Sequence, residues 1–520
     1  MKKHIKKIVM ILLTMFIFTS CSSGVKASNV ANDENTADAT NVSKKATRDT
    51  IVVALPKEPP TLDPHNEQST VARTVEKVVY DRLVERTNGE IKPMLAKSWE
   101  ILDDLTIRFH LRDDVYFHNG EKMTAEDVRY TIERAESMPA SAYFFSSFDG
   151  KGTKVVDEYT IDIKLHNAFA PALNYLASSR GNIVCKKAVE EMGADAYGRA
   201  PIGTGPLKFS KWVSGDRIEL VQNEAYWGNQ TAYKKLVFRT IIDASSRAVE
   251  LETGGIDISL DISPEDMGRL SENPDTRIVE GPGYAMNYFM INSLNFDTLA
   301  DVKVREALAM ALNTKQIVDA VFKGTARASD SVYPNTVDGY TQIGPMEYNP
   351  EKAKKMLVEA GWDFDTVLDI ASASDEKALM DICEIAQNMW AEIGVKSKIT
   401  SYETATLMDQ QIAGKTLLSI APDNPATGDP DHAVMSWYQA GLGLQDSQPI
   451  WDLIKEGRAT YDKTARAAVY AKLQKLLWDS HGTIPVADLN VLYGTRSDIE
   501  NMDVDPGKIP NLAYITISQQ

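Results

Sequence analysis

The chain of 520 residues is poor in cysteine, poor in histidine, and has no apolar run long enough to cross a bilayer. Three cysteines cannot build a disulfide scaffold. The seven histidines are scattered, with no pair at i, i+4 spacing. Neither H-E-x-x-H, nor C-x-x-C, nor G-x-S-x-G occurs. Gly414-Lys415-Thr416 has the ending of a phosphate-binding P-loop, but Asp409 stands where its first glycine must be. Asp423 to Gly428 has Pro425 and Thr427 at two calcium-ligand positions, and Val434 where a bidentate Glu belongs. Asp429, Asp431 and His432 read as a solvated acidic loop rather than a metal site. No catalytic residue, metal site or cofactor is therefore expected. Excess basic charge is also missing. Fifty-six Lys plus Arg against 73 Asp plus Glu leave a formal charge of −17, which repels phosphate and argues against sequence-independent nucleic-acid binding. What is present is ordinary for a globular protein: 43% hydrophobic and 25% charged residues, in a length that predicts about three domain-sized units.

The first twenty residues read as a secretory signal. Lys2, Lys3, Lys6 and Lys7 precede the apolar run Ile8 to Phe18, which is too short to span a bilayer of about 30 Å. Phe18-Thr19-Ser20-Cys21 follows, and small residues directly before a cysteine resemble the lipobox of bacterial lipoproteins. That resemblance implies lipidation at Cys21 and a membrane-anchored protein. Phe18 departs from the leucine usual at its place. Residues 21–49 are rich in Ser, Asn, Ala, Thr and Asp, with balanced charges, and read as a flexible tether. The remaining body is more acidic than the whole chain. Its two cysteines, Cys185 and Cys383, are expected as free thiols.

From Thr50 the chain alternates strand and helix patterns. Ile51 to Leu55 is a short apolar run suited to a buried strand. Thr106 to Leu111, Tyr159 to Leu165 and the segment around Ile218 and Leu220 alternate as half-buried strands. Thr124 to Asp127 has a capping-box pattern ahead of a helix. Asn349-Pro350 opens another helix that Gly361 closes. Leu379, Ile382, Cys383, Ala386, Met389, Trp390 and Ile393 share one helical face ending at Gly394, and Leu473, Leu476 and Leu477 mark a late helix. Without strict βαβ order, the pattern predicts several α/β lobes.

Several segments in order then resemble the family 5 extracellular solute-binding proteins of ABC importers, the dipeptide, oligopeptide and nickel type. They are Pro60-Thr61-Leu62-Asp63-Pro64-His65, Val79-Tyr80-Asp81-Arg82-Leu83-Val84 and Pro93 to Glu100. Phe109 to Gly120, Thr124 to Val128, Pro201-Ile202-Gly203-Thr204-Gly205-Pro206, Tyr226-Trp227 and Val304 to Leu308 continue the series. The resemblance covers about 51–490. It implies an α/β, two-lobed periplasmic-binding-protein-like fold of class II type with an extra inserted subdomain. The first lobe would comprise 50–79, 201–278 and 491–520, the insertion 80–200, and the second lobe 279–490. Hinge crossings are expected near Gly281-Pro282-Gly283 and Ile484-Pro485. His118, within the Phe109 to Gly120 segment, is expected to be structural.

The implied function is non-enzymatic. A short peptide or peptide-like solute would be captured between the lobes and passed to ABC permease subunits by a monomer on the outer face of the cell membrane, or in the periplasm of a two-membrane cell. A nickel–chelator complex, glutathione or an opine are alternative ligands, and peptide sensing without bulk transport is an alternative role. The candidate ligand-binding residues are Arg180, Tyr284, Asn287, Tyr288, Asp423, Trp437 and Tyr438. Arg180 lies where some members use arginine to hold a carboxylate. In peptide binders an acid precedes the Asp-Pro-Asp segment, here Asp429-Pro430-Asp431. That slot is Ala426 in this chain, and Asp423 replaces it only if the loop takes a different path.

Overall fold

The computed structural model describes residues 49–518, apart from 67, 68, 88, 426, 440, 441, 445 and 446. The signal at 1–20, Cys21 and nearly all of the tether therefore lie outside the described residues, as does Ala426. The side chains of Asp423 and Tyr438 are outside the description too. No described helix is long and apolar enough to cross a membrane.

Two long antiparallel strands, Thr276–Ile291 and Thr483–Arg496, form the spine of an eleven-stranded mixed sheet. At one end Ile258–Leu260 pairs with Tyr493 to Thr495, and Thr50–Leu55 follows it in parallel. Lys235–Thr240, Arg217–Gln222 and Leu207–Val213 complete that side. At the other end Leu418–Asp423 pairs with Met286 to Ile291, followed by the parallel strands Val367–Ala373 and Lys396–Tyr402. The chain thus builds two α/β halves on one shared strand pair.

The strand Thr276–Ile291 shows in its residues why it serves both. Its first half is partly exposed, whereas every residue from Gly283 to Ile291 is buried, as expected of a strand covered on both faces. Side chains alternate across a strand. Phe289 and Ile291 accordingly enter a core with Trp390, Ile370 and Leu308. Tyr284, Met286, Tyr288 and Met290 enter a second core on the opposite face, with Trp437, Val434 and Tyr470.

The pairing of the two long strands breaks between Pro282 and Met286. Gly283 sits in that break because a Cβ there would stand 2.8 Å from the Leu489 carbonyl oxygen. The register places Asn490 and Val491 opposite Pro282 and Gly281. The second expected crossing, Ile484-Pro485, instead pairs with Phe289 and Tyr288, deep in the buried part of the sheet.

A four-stranded antiparallel sheet of Ala96–Asp103, Thr106–Leu111, Thr160–Leu165 and Phe148–Asp157 carries the helix Ala125–Ser137 on one face. Its core is continuous with that of the first half, since Phe109, Val128, Ile163, Val53 and Tyr493 belong to one cluster. Thr124 and Asp127 form the expected capping box. Asn349 caps Pro350–Glu359, and Gly361 and Gly394 terminate their helices at positive φ. Cys185 and Cys383 are buried free thiols.

Candidate functional site

Several of the motif turns converge on one buried carboxylate. Asp81 accepts hydrogen bonds from Thr204 Oγ1 (3.0 Å), Tyr226 Oη (3.2 Å) and Trp227 Nε1 (2.8 Å). Burial raises its pKa, opposed by these donors. Gly203 crosses the Val79 carbonyl so closely that a Cβ would collide with it. His118 accepts from the Gly203 N–H through Nδ1 (3.3 Å) and donates from Nε2 to the Gly205 carbonyl (3.0 Å). Burial lowers its pKa to about 4, so it is neutral and structural. Asp63 similarly holds Arg134, through Nη1 at 2.8 Å. These segments make a rigid wall rather than a reactive centre.

Beside that wall opens a cavity of about 590 Å³, within the roughly 300–1,000 Å³ common for small-ligand sites. Three parts of the chain line it: Lys77 to Gly89 with Asp503 to Tyr514, the segment Asn174 to Ser179, and Tyr284, Thr336, Asp338 and Thr427. Its described lining contains neither histidine nor cysteine. Arg86 donates to the Tyr284 hydroxyl and to Asp338 Oδ1 (2.7 Å), which ties the two halves together across the cavity. Burial raises the Asp338 pKa, with Arg86 opposing it. Lys77 donates to Asp505 Oδ2 at 2.8 Å.

A second set of contacts joins the segment 169–175 to the far half. Asn174 Nδ2 donates to Asp429 Oδ2 (2.7 Å), and the Tyr175 hydroxyl donates to Asp431 Oδ2 (2.8 Å). The Ala170 N–H donates to the Arg458 carbonyl (2.7 Å). Asp429 also accepts a bidentate pair from Arg466 (2.7 and 3.0 Å), and Asp431 one from Arg458 (2.6 and 3.0 Å). The expectation of a solvated acidic loop at Asp429, Asp431 and His432 is corrected here. Both aspartates are fully buried, because each has an arginine to neutralise it. Burial alone would push the Asp429 carboxyl up, but Arg466 holds it below the usual range. His432 stacks edge-on against Phe144 at 5.3 Å. Burial, then the nearby Arg180 and Arg73 charges, lowers its pKa to about 3. Among the described residues no group of His, Cys, Asp and Glu is arranged to hold a metal ion.

The structure places the candidate residues unequally. Tyr284 lines the cavity. Tyr288 and Trp437 face one another with ring centroids 5.5 Å apart, and Trp437 is 0% exposed in the core below. Asn287 lies between Met286 and Tyr288 on the opposite strand face, buried, with its Oδ1 unpartnered among the described residues. Asp423 pairs through its backbone with Met286. Tyr438 lies in the helix Pro430–Gln439 beside Trp437. Arg180 is buried, with its guanidinium 5.0 Å from the Phe144 ring centre and 5.6 Å from that of Tyr143. Arg180 is not itself in the cavity lining, although its neighbours Ser178 and Ser179 are. Sequence reasoning missed Arg82, Arg86, Asp338, Asp505 and Tyr514. Arg82 stood within a quoted motif, but nothing in the motif says which side chains reach a cavity.

Two α/β halves on a shared strand pair, with a polar cavity between them, define the class of two-lobed solute-binding proteins. The chain belongs to the bacterial extracellular solute-binding proteins, family 5, whose family model matches residues 90–443. It is 29% identical over 468 residues to the dipeptide-binding protein of Escherichia coli, covering 82% of this chain and 87% of that one. The periplasmic binding protein DppA of Helicobacter pylori, solved with the peptide STSA, superposes with a TM-score of 0.80 at 25% identity. The match covers 91% of this chain and 99% of that one. NikA of Brucella suis, solved with Fe(III)-EDTA, shares the fold with a TM-score of 0.82 at 23% identity, covering 90% of this chain and all of that one.

Proposed function

We propose that this protein is the lipid-anchored, extracytoplasmic binding component of an ABC importer, and that it captures a short peptide or peptide-like solute between its lobes for delivery to the permease. The observation that carries this reading is the cavity itself. It is walled by both halves and bridged by Arg86, and its charged lining suits a zwitterion. The named ligands of relatives, a dipeptide and a tetrapeptide, support the peptide class. The first lobe is assigned to 50–79, 201–278 and 491–520, the insertion to 80–200, and the second lobe to 279–490. The hinge is assigned to the bulge at Gly283 and the facing Leu489 to Val491. Closure around the solute gains contacts that exist only when the lobes meet. The protein acts as a monomer and performs no chemistry on its ligand.

Native mass spectrometry of protein purified without refolding tests the ligand class. A retained mass fitting di- to pentapeptides is expected, and a metal-containing adduct would replace the peptide reading with a chelate one. Anchoring is tested by detergent phase partitioning of the full chain. Wild type is expected in the detergent phase and Cys21→Ser in the aqueous phase. Equal partitioning of the two removes the lipid anchor from the proposal.

A further inference from the structure

One side chain of the inserted segment meets three separate pieces of the far half. Arg86 stands on the strand Val84–Thr87. Its guanidinium donates from Nη1 to the Tyr284 hydroxyl and from Nη2 to Asp338 Oδ1, the latter at 2.7 Å. The third piece is the loop at Gly428, whose carbonyl accepts from the Asp338 N–H at 3.0 Å. Gly428 has a φ of +65°, and a Cβ there would collide with the Tyr284 hydroxyl and stand 2.7 Å from Arg86 Nη1. Backbone angle and space both require glycine where Arg86 and Tyr284 pass the loop. Thr336 Oγ1 donates to the Gly283 carbonyl at 2.7 Å, which fixes the loop carrying Asp338 to the bulge of the long strand.

Arg86, Tyr284 and Asp338 all line the cavity. Every group in this clasp is the protein's own, so its pull on the two lobes does not depend on a solute. The Arg86 side chain is 13% exposed and that of Asp338 44%, so the ion pair is sheltered on one side and wet on the other. In such a setting the bonds to Arg86 weigh closed against open by about three- to tenfold. A closed cleft does not load, so the clasp also slows entry in proportion to the open fraction it removes.

We propose that the Arg86 clasp is a gate: it draws the empty protein towards the closed state and thereby sets how fast solute is admitted. This rests on the proposed division into lobes and on reading the cavity as the solute site. Arg86 acts here as a positioning residue, since both of its terminal nitrogens are engaged by the far lobe.

Small-angle scattering of the full chain, dialysed free of solute, compares wild type with Arg86→Met, Asp338→Asn and the double variant. Arg86→Met is expected to lower the closed-to-open ratio about three- to tenfold. Asp338→Asn is expected to lower it less, because the Tyr284 contact remains, and Arg86→Lys to fall between wild type and Arg86→Met. The double variant is expected to match Arg86→Met, because both changes cut one tie. Superimposable scattering of wild type and Arg86→Met overturns the proposal. So do additive losses in the double variant, which would mark two independent structural roles. Stopped-flow mixing with a pool of di- to pentapeptides reads the gate itself. Arg86→Met is expected to bind about threefold faster than wild type or more, and equal rates overturn the gating role. Should Arg86→Met fail to fold, Asp338→Asn carries both readouts. If no variant and no wild type binds the pool, the peptide-receptor reading fails, and the scattering of the empty protein still decides the clasp.

Discussion

Removing one oxygen, in Tyr175→Phe, isolates how much lobe-to-lobe bonding contributes to ligand retention. The Tyr175 ring packs 4.3 Å from Phe144 and 4.9 Å from Phe169, measured between centroids, and phenylalanine preserves both contacts. The hydroxyl donates to Asp431 at 2.8 Å. After its loss Asp431 still holds the bidentate pair from Arg458, so no charge is left uncompensated. A hydrogen bond to a charged group is worth about 1.5–3 kcal/mol, and about 1.4 kcal/mol is a factor of ten in an equilibrium constant. In the proposed division of the chain the bond joins the inserted segment to the second lobe, so it is lost whenever those lobes separate. The closed state is therefore expected to weaken about 10- to 100-fold, and the apparent affinity with it wherever the empty protein is mostly open. Calorimetric titration of wild type and Tyr175→Phe with the co-purified solute measures the affinity, and small-angle scattering measures closure. Affinities within twofold, together with superimposable scattering curves, would refute the assignment of this contact to closure.

Other perturbations have equally definite outcomes. Trp437→Phe is expected to leave ligand affinity unchanged while lowering unfolding stability by about 1–2 kcal/mol, because Trp437 packs in the core beneath the cavity; a large affinity loss by fluorescence titration would return it to the binding surface. Arg466→Met leaves Asp429 buried without its main counter-charge, at a cost of about 3–5 kcal/mol, seen as a lower urea midpoint at unchanged slope. Buried neutral histidines set an acid limit. His118 and His481 are lowered to about 4, and His65 and His432 to about 3, each first by burial. Their folded pKa values lie below the unfolded one near 6.5, so the unfolded chain binds more protons in between, and stability falls as pH drops from about 6.5 towards 4. His118→Gln is expected to flatten the melting-temperature profile over that window, and an unchanged slope would show that His118 is not part of it.

Much of the secondary structure was legible because it is local. The Asn349-Pro350 start, the Gly361 and Gly394 stops and the capping box at Thr124 depend on residues within a turn of one another, and each stands where its pattern placed it. The strand register opposite Gly281 was not legible. Which residues face Gly281 is a matter of register between strands about two hundred positions apart, and Ile484-Pro485 pairs deeper in the sheet. The acidic loop misled for a related reason. Asp429 and Asp431 look solvated until Arg458 and Arg466 are brought against them by the helices Gln448–Ala459 and Lys463–Ser480. Tyr284, Asn287 and Tyr288 were singled out together, although alternation along one strand sends Asn287 to the face opposite that of Tyr284 and Tyr288.

By itself the sequence determined the family and the α/β class. These rest on motif order and local periodicity, which survive in one dimension. The tertiary structure alone decided which charges are matched. Lys77 and Asp505, Arg86 and Asp338, and Arg466 and Asp429 find each other only through the fold, since burial and distance, not sequence spacing, set whether a charge is neutralised.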